Sequence, residues 1–306
     1  MKASFEAFFT LHVNMFSPSI FESHFFHNRT FYLKRDDLLH PDFSGNKARK
    51  FHYFLTHDFP HIKRIVSSGS NQSNAMYSLS VLARLKNWEF FYVCDHIPSF
   101  LKENPIGNYQ AALENGMRVI ESHAREDTVL EYLDEHSLHV SEGGRQREAE
   151  EGMQRLAEEL KADVYQAGLK EPYLFLPSGT GTTALFLQKH LPFPIFTCNT
   201  VGNSAYLQQQ WEMVEPSLRC YPRILEGSKK YHYGKLYIEL YVLWEKLKTE
   251  MGVEFDLVYD PVGWSVFLEH LPTLQGDPIY LHQGGLLGNI SMEERYKRKK
   301  TIMKTL

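Results

Sequence analysis

The sequence predicts an α/β protein built on parallel sheets, and three observations carry that reading. Short apolar runs suited to buried strands recur at residues 62–66, 89–94, 117–120 and 173–176. Helical stripes alternate with them, as in Met76, Leu79, Leu82, Ala83 and Leu85. The turns that join strand to helix are rich in Gly, Ser, Thr and Asn. Such alternation lays helices over the faces of a parallel sheet. With 306 residues the chain is long enough for one large domain or two smaller ones with sizeable cores.

Composition narrows the function classes. Net charge is −4 with no long single-sign block, which argues against a nucleic-acid partner. The lysine-rich stretch 297–304 reads as a solvated tail. Cys94, Cys198 and Cys220 lack C-x-x-C spacing and suit buried apolar roles in a reducing compartment. No apolar stretch is long enough to span a bilayer. The N-terminal M-K-A-S-F-E-A-F-F-T-L is interrupted by Glu6 and followed by no clean cleavage site, so the expected location is cytoplasmic, with no membrane partner. The phenylalanine-rich first 30 residues are expected to pack down. His24 and His27 have no companions at metal-ligand spacing and read as surface or interface histidines; no metal is expected.

Taken in order, the chain first offers a strand at residue 31, within F-Y-L-K-R-D-D-L-L-H-P-D-F-S-G-N-K-A-R-K-F. After the S-G-N turn, Lys47 falls in the first turn of a helix expected over 48–56. The positive end of a helix dipole disfavours a cation, and desolvation there would lower the amine's pKa, as Schiff-base chemistry requires. The plain alternative is a solvated basic helix start with Lys47, Arg49 and Lys50 in water. Strand 62–66 leads into S-S-G-S-N-Q-S-N and a helix, a junction that points backbone N–H groups into the turn. Strand 89–94, helix 108–115 and strand 117–120 follow. An S-E-G-G turn at 141–144 and a helix over 147–161 come next.

Strand 173–176 runs into P-S-G-T-G-T-T-A-L. Gly179 and Gly181 permit close backbone approach. Ser178, Thr180, Thr182 and Thr183 supply hydroxyls, and the helix from Ala184 favours an anion at its start. The loop is neither a Walker A motif nor G-x-G-x-x-G; by itself it reads as a phosphate site or an ordinary turn.

Three segments, K-R-D-D-L…S-G-N-K-A-R-K, Q-S-N and P-S-G-T-G-T-T, resemble the 1-aminocyclopropane-1-carboxylate (ACC) deaminase and D-cysteine desulfhydrase family. That family uses pyridoxal 5'-phosphate (PLP) and has the fold-type-II architecture. The resemblance covers roughly residues 31–288. It implies two three-layer α/β domains with PLP in the cleft between them. The large one would comprise residues 1–47 and 156–306, and the small inserted one 48–155. By the same resemblance Lys47 carries the cofactor and Ser73 assists as acid, base or substrate contact. Asn74 holds the ring hydroxyl, and Ser178, Gly179, Thr180, Gly181 and Thr182 hold the phosphate. Gln283, in P-I-Y-L-H-Q-G-G, faces the pyridine nitrogen as a neutral amide, which suits elimination more than transamination.

By the same resemblance residues 255–262, F-D-L-V-Y-D-P-V, match the family's strand ending in D-P-V, and the chain departs from the family after it. The family places a tyrosine there, and this sequence has Gly263 and Trp264, with Trp264 expected to shrink or cover the pocket. Tyr259 need not face the same space in an alternating strand. A second family tyrosine is matched by Tyr233, with Tyr231 and Tyr237 as competitors. The implied activity is deamination of a small amino acid to a 2-oxo acid and ammonia, by β-elimination from D-cysteine-like substrates or by ACC deamination. A missing phenol implies poor ACC turnover, and a PLP-binding pseudoenzyme or regulatory binding protein with little turnover is the alternative. A homodimer is the family habit.

Overall fold

The computed structural model describes residues 18–43 and 45–305. The expected packing of the phenylalanine-rich N-terminus falls largely on residues 1–17, outside the described residues.

Among the described residues ten strands form two sheets. The larger takes the order β1-β2-β10-β7-β8-β9, comprising β1 (Ile20–Phe26), β2 (Arg29–Arg35), β7 (Pro172–Ser178), β8 (Ile195–Asn199), β9 (Arg223–Ile224) and β10 (Asp277–His282). Its pairings are parallel except β1 with β2, a hairpin whose turn residues His27 and Asn28 take positive φ. The smaller sheet, β5-β4-β3-β6, is parallel throughout; its strands are β3 (Arg64–Ser68), β4 (Glu89–Cys94), β5 (Met117–Glu121) and β6 (Ser137–Val140).

Alternation along β7 and β10 gives the larger sheet two different faces. Leu174, Leu176, Ile279 and Leu281 pack under Leu156, Ala157, Leu160, Ala184 and Leu187 of the helices Ala149–Gln166 and Thr182–His190. Tyr173, Phe175 and Tyr280 face the other way, onto Trp264 and Phe267 of the helix Asp260–His270. Each fully buried large side chain stabilises by about 1.5–3 kcal/mol. The smaller sheet packs Ile65, Phe90, Tyr92 and Val140 against the helix Asn74–Lys86, and Val66 and Val93 against Val129.

The expected helix over 48–56 is two short helices, Asn46–Lys50 and His52–Thr56, parted at Phe51 (φ −96°, ψ 6°). The first begins early because Gly45 takes φ +41° and lies against the His282–Gly285 segment. A Cβ at Gly45 would sit 1.9 Å from the Gln283 carbonyl oxygen, which accepts the Asn46 N–H at 2.9 Å. Arg49 is buried behind this helix, pairing with Asp36 at 2.8 Å and with Glu159; Lys34 pairs with Glu159 at 3.0 Å and Asp163 at 2.8 Å. The solvated reading of the basic helix start fails for Arg49 and Lys50, 3% and 4% exposed.

Two smaller expectations are also corrected. The stretch from Lys297 is part of the helix Leu287–Thr305, seated by buried Tyr296, and is not a free tail. Cys94 and Cys198 are buried but Cys220 is exposed; all three are free thiols. Among the described residues no helix is long and apolar enough to cross a membrane.

Candidate active site

Parallel strands end on one side of their sheet, and ligand crevices open at those carboxyl ends. Lys47 follows β2, Ser73 and Asn74 follow β3, the Gly/Thr loop follows β7, and Gln283 follows β10. All of these, with Tyr233, line one cavity of about 310 Å³ walled by segments that follow strands of both sheets.

Lys47 is the second residue of its helix, and its Nζ donates to Asn46 Oδ1 at 3.0 Å. Burial pushes its amine down to about 8, against the opposing pull of Asp256. Ser73 is the N-cap of the helix Asn74–Lys86; its Oγ accepts the N–H groups of Ala75 (3.1 Å) and Met76 (3.4 Å). That leaves its O–H as donor. Asn74 Oδ1 accepts from Asn108 Nδ2 at 2.6 Å, so the Asn74 amide is turned with its NH2 as donor, and the Asp256 carboxylate is among its neighbours. Asn108 is fully buried and ties this amide to the Gln72 carbonyl, at 3.0 Å.

The loop after β7 is held from behind. The Thr197 hydroxyl donates to the Leu176 carbonyl at 2.7 Å and is hydrogen-bonded to Ser178 Oγ at 2.7 Å, and the Trp211 indole donates to the Gly181 carbonyl at 3.0 Å. Gly181 takes φ +70°, and a Cβ there would sit 2.3 Å from Trp211 Nε1. The helix it opens, Thr182–His190, has no side-chain cap, so first-turn N–H groups remain for an anion, flanked by Thr180 and Thr182 hydroxyls 3.3 Å apart. Lys50 adds an amine nearby: its Nζ donates to the Gly143 carbonyl at 3.0 Å, and a Cβ at Gly143 would lie 3.3 Å from Thr180 Cγ2.

Residues 255–262 are not a strand. Asp256 Oδ1 accepts the N–H groups of Val258 (2.8 Å) and Tyr259 (2.6 Å), closing a turn that feeds the helix Asp260–His270 with Pro261 in its first turn. The turn carries Tyr259 into the cavity, with its hydroxyl 3.1 Å from that of Tyr233. Trp264 neither covers nor shrinks the pocket: it is fully buried in the core, stacked on Tyr280 at 4.3 Å. An aromatic hydroxyl is therefore present, four residues before Gly263. Tyr231 and Tyr237 pack edge to face on each other, 4.9 Å between centroids, and stand outside this cavity. Tyr233 is 45% exposed, yet burial of its hydroxyl end pushes its phenol up, and burial pushes the Tyr259 phenol well above its ordinary value.

Gln283 is committed at both ends of its amide. Nε2 donates to the Pro177 carbonyl at 2.8 Å, and Oε1 accepts from Asn46 Nδ2 at 2.8 Å. Sequence reasoning passed over Asp256, Asp260 and Asn108. An aspartate two and three residues before the N–H groups it accepts is a turn signature, and it was present in D-L-V-Y.

No protein-family model and no curated protein sequence matches the chain. Solved structures do. An ACC deaminase homologue superposes with TM-score 0.75 at 18% identity, covering 94% of this chain and 97% of its own. An L-serine ammonia-lyase from Rhizomucor miehei gives 0.63 at 13% identity over 94% and 98%. A pyridoxal 5'-phosphate-dependent aspartate racemase gives 0.61 at 12% identity over 93% and 95%. At these identities the likeness is one of fold, and in fold the chain is similar to the ACC deaminase homologue over nearly its whole length.

Proposed function

We propose that the chain is a PLP-dependent enzyme that deaminates a small amino acid. One observation carries the reading: a single cavity joins an amine of lowered basicity, an uncapped Gly/Thr helix start and two phenols in contact. The residues present fit the cofactor. The amides and hydroxyls from Ser178 to Thr183 would hold its phosphate, the Asn74 NH2 its ring hydroxyl, and Lys47 its aldehyde carbon. When bound, PLP supplies an electron sink that stabilises negative charge at the substrate α-carbon.

The chain's own groups supply the rest. Lys47, its amine brought down to about 8 by burial, would take and return a proton at the substrate carbon. The Ser73 O–H, at the positive end of its helix, orients the substrate from the other wall. Tyr259, kept protonated by burial, and Tyr233 in contact with it deliver a proton to the departing atom. The pseudoenzyme alternative rested on a missing phenol, and Tyr259 removes its motive. The same residue withdraws the ground for expecting poor ACC turnover, so ACC ring opening and β-elimination from D-cysteine-like substrates stand as equal forms of the proposal.

The test is direct. The purified protein is expected to be yellow, and borohydride should fix PLP to the Lys47 peptide. Lys47→Ala should remove both the linkage and 2-oxo acid release from a panel of D- and L-amino acids and ACC. Fixation to another lysine, or no uptake of PLP, would sink the assignment.

A further inference from the structure

A second concavity, an open trough of about 750 Å³, lies at the amino ends of β7 and β8. The candidate active site is at the opposite, carboxyl ends of the strands. The trough's volume is within the range of small-molecule sites, roughly 300–1,000 Å³. Leu169, Pro194 and Leu274 stand half-buried along it, beside the rings of Tyr173 and Phe196.

Its walls are fixed by bonds of their own. The Arg29 guanidinium donates to the carbonyls of Leu271 (3.2 Å), Leu274 (3.2 Å) and Gly276 (2.8 Å). Asp277 Oδ2 accepts the N–H groups of Lys170 (2.8 Å) and Glu171 (3.2 Å). Gly276 joins the two walls at φ +101°, where a Cβ would lie 2.1 Å from the Glu171 carbonyl oxygen. A preformed site loses less to ordering when a ligand enters.

The charge around the trough is one-sided. Lys161, Lys170 and Arg223 line it against Glu171 alone, and all four are exposed. Among the described residues no carboxylate pairs with any of the three cations. The Arg223 guanidinium lies over the Phe196 ring, 5.7 Å from its centroid, and its N–H donors meet no acceptor among the described residues. Tyr173 is 2% exposed, and its hydroxyl is buried without a hydrogen-bond partner among the described residues. A buried hydroxyl so placed is unfavourable and leaves an unspent polar atom in the wall.

We propose that the trough binds a small organic acid, its carboxylate taken by the Arg223 fork and its hydrocarbon body by the apolar floor. A planar guanidinium resting on a ring suits bidentate pairing with a carboxylate, and Lys161 and Lys170 add a field that draws an anion in. An apolar molecule without charge would leave these cations unanswered, and a cationic one would be repelled. The site is independent of the PLP reading.

The experiment is titration calorimetry on the full chain, with 2-naphthoate as the probe and the uncharged 2-naphthamide as its control. Saturable binding of 2-naphthoate is expected, weakened about tenfold or more by Arg223→Gln and by exchange of carboxylate for amide. Arg223→Lys should recover part of the loss, because it keeps the charge and loses the fork. Leu274→Glu, which sets a carboxylate on the floor, should also weaken binding about tenfold. Arg223 is exposed, so its variants decide the matter even where Leu274→Glu does not fold. No saturation by about 10 mM 2-naphthoate, unchanged affinity in Arg223→Gln, or equal affinity for the amide would each overturn the proposal. So would a dimer, seen by light scattering, that Leu274→Glu dissociates, since the trough would then be a face between copies of the chain.

Discussion

Two walls of the cavity are built in opposite ways. In one the Ser178–Thr183 loop presents backbone: N–H groups at an uncapped helix start, with glycine where a side chain would intrude. Its supports, Thr197 and Trp211, hold the loop from behind. In the other, which meets the first where Tyr259 lies against Gly179, the Asp256–Asp260 turn presents side chains: two buried carboxylates and Tyr259, with Tyr280 donating to Asp260. The first wall favours an anion through dipoles that cost no desolvation of charge. The second keeps charge in a dry wall, where every missing partner is expensive. Stability should therefore be sensitive to shape at the loop and to protonation at the turn.

The largest effect is expected at the loop. Gly181→Val places a Cβ where Trp211 and Leu207 already stand, in a backbone conformation valine avoids, and should unfold or grossly destabilise the chain, by about 3 kcal/mol or more. Gly179→Ala has φ in the ordinary range, and its Cβ would meet Tyr259 Cε1 at 3.3 Å. It should leave the melting curve nearly unchanged while lowering PLP affinity about tenfold, roughly 1.4 kcal/mol. Equal loss of stability in both variants would erase the distinction between a propped glycine and a ligand-facing one.

Next comes the phenol pair. Tyr259→Phe removes the buried hydroxyl and should lower kcat about a hundredfold or more with little change in PLP binding. Tyr233→Phe, in the more exposed partner, should lower it less. Stopped assays on whichever substrate the panel identifies would check the order. A larger loss at Tyr233 would shift the proton-delivering role from the turn to the 231–237 loop.

The smallest effect is one of stability against pH. Burial raises the Asp256 carboxyl from 3.8 to about 6, so the folded chain binds its proton more tightly than the unfolded one. The sign follows: its contribution to stability is fully present below 3.8 and is lost as pH rises through 6. Cofactor-free Asp256→Asn should accordingly melt a few degrees higher than wild type at pH 7, with the gain vanishing toward pH 4. Differential scanning across that range is the measurement, and a gain that persists at pH 4 would place its origin outside titration.

The loop wall was legible because local sequence determines it. A strand, two glycines, hydroxyls and a helix stripe all fall within a dozen residues, and Lys47, Ser73 and Asn74 likewise follow their own strands. The turn wall was not. F-D-L-V-Y-D-P-V alternates as a strand should, and only the Asp256 side chain, capping two N–H groups, bends it into a turn. That local hydrogen bond outweighed β-propensity and moved Tyr259 into the cavity. Trp264 was misplaced for the same reason, since a helix from Asp260 turns it onto Tyr280 in the core. Asn108 and the Arg49–Asp36–Glu159 cluster join segments far apart in the chain, beyond the reach of spacing.

Trp211 gives the anion loop an optical voice. Its indole is 1% exposed, hydrogen-bonded to Gly181 and stacked on Tyr221 with 5.8 Å between centroids. An indole fixed to a loop carbonyl changes its emission when that loop tightens, and a bound chromophore that absorbs in the same spectral range quenches it by energy transfer. Of the chain's four tryptophans, Trp211 is the one bonded to the loop, so the difference between wild type and Trp211→Phe isolates its signal. Occupancy of the cavity thereby becomes a fluorescence reading that needs no label, no substrate and no turnover.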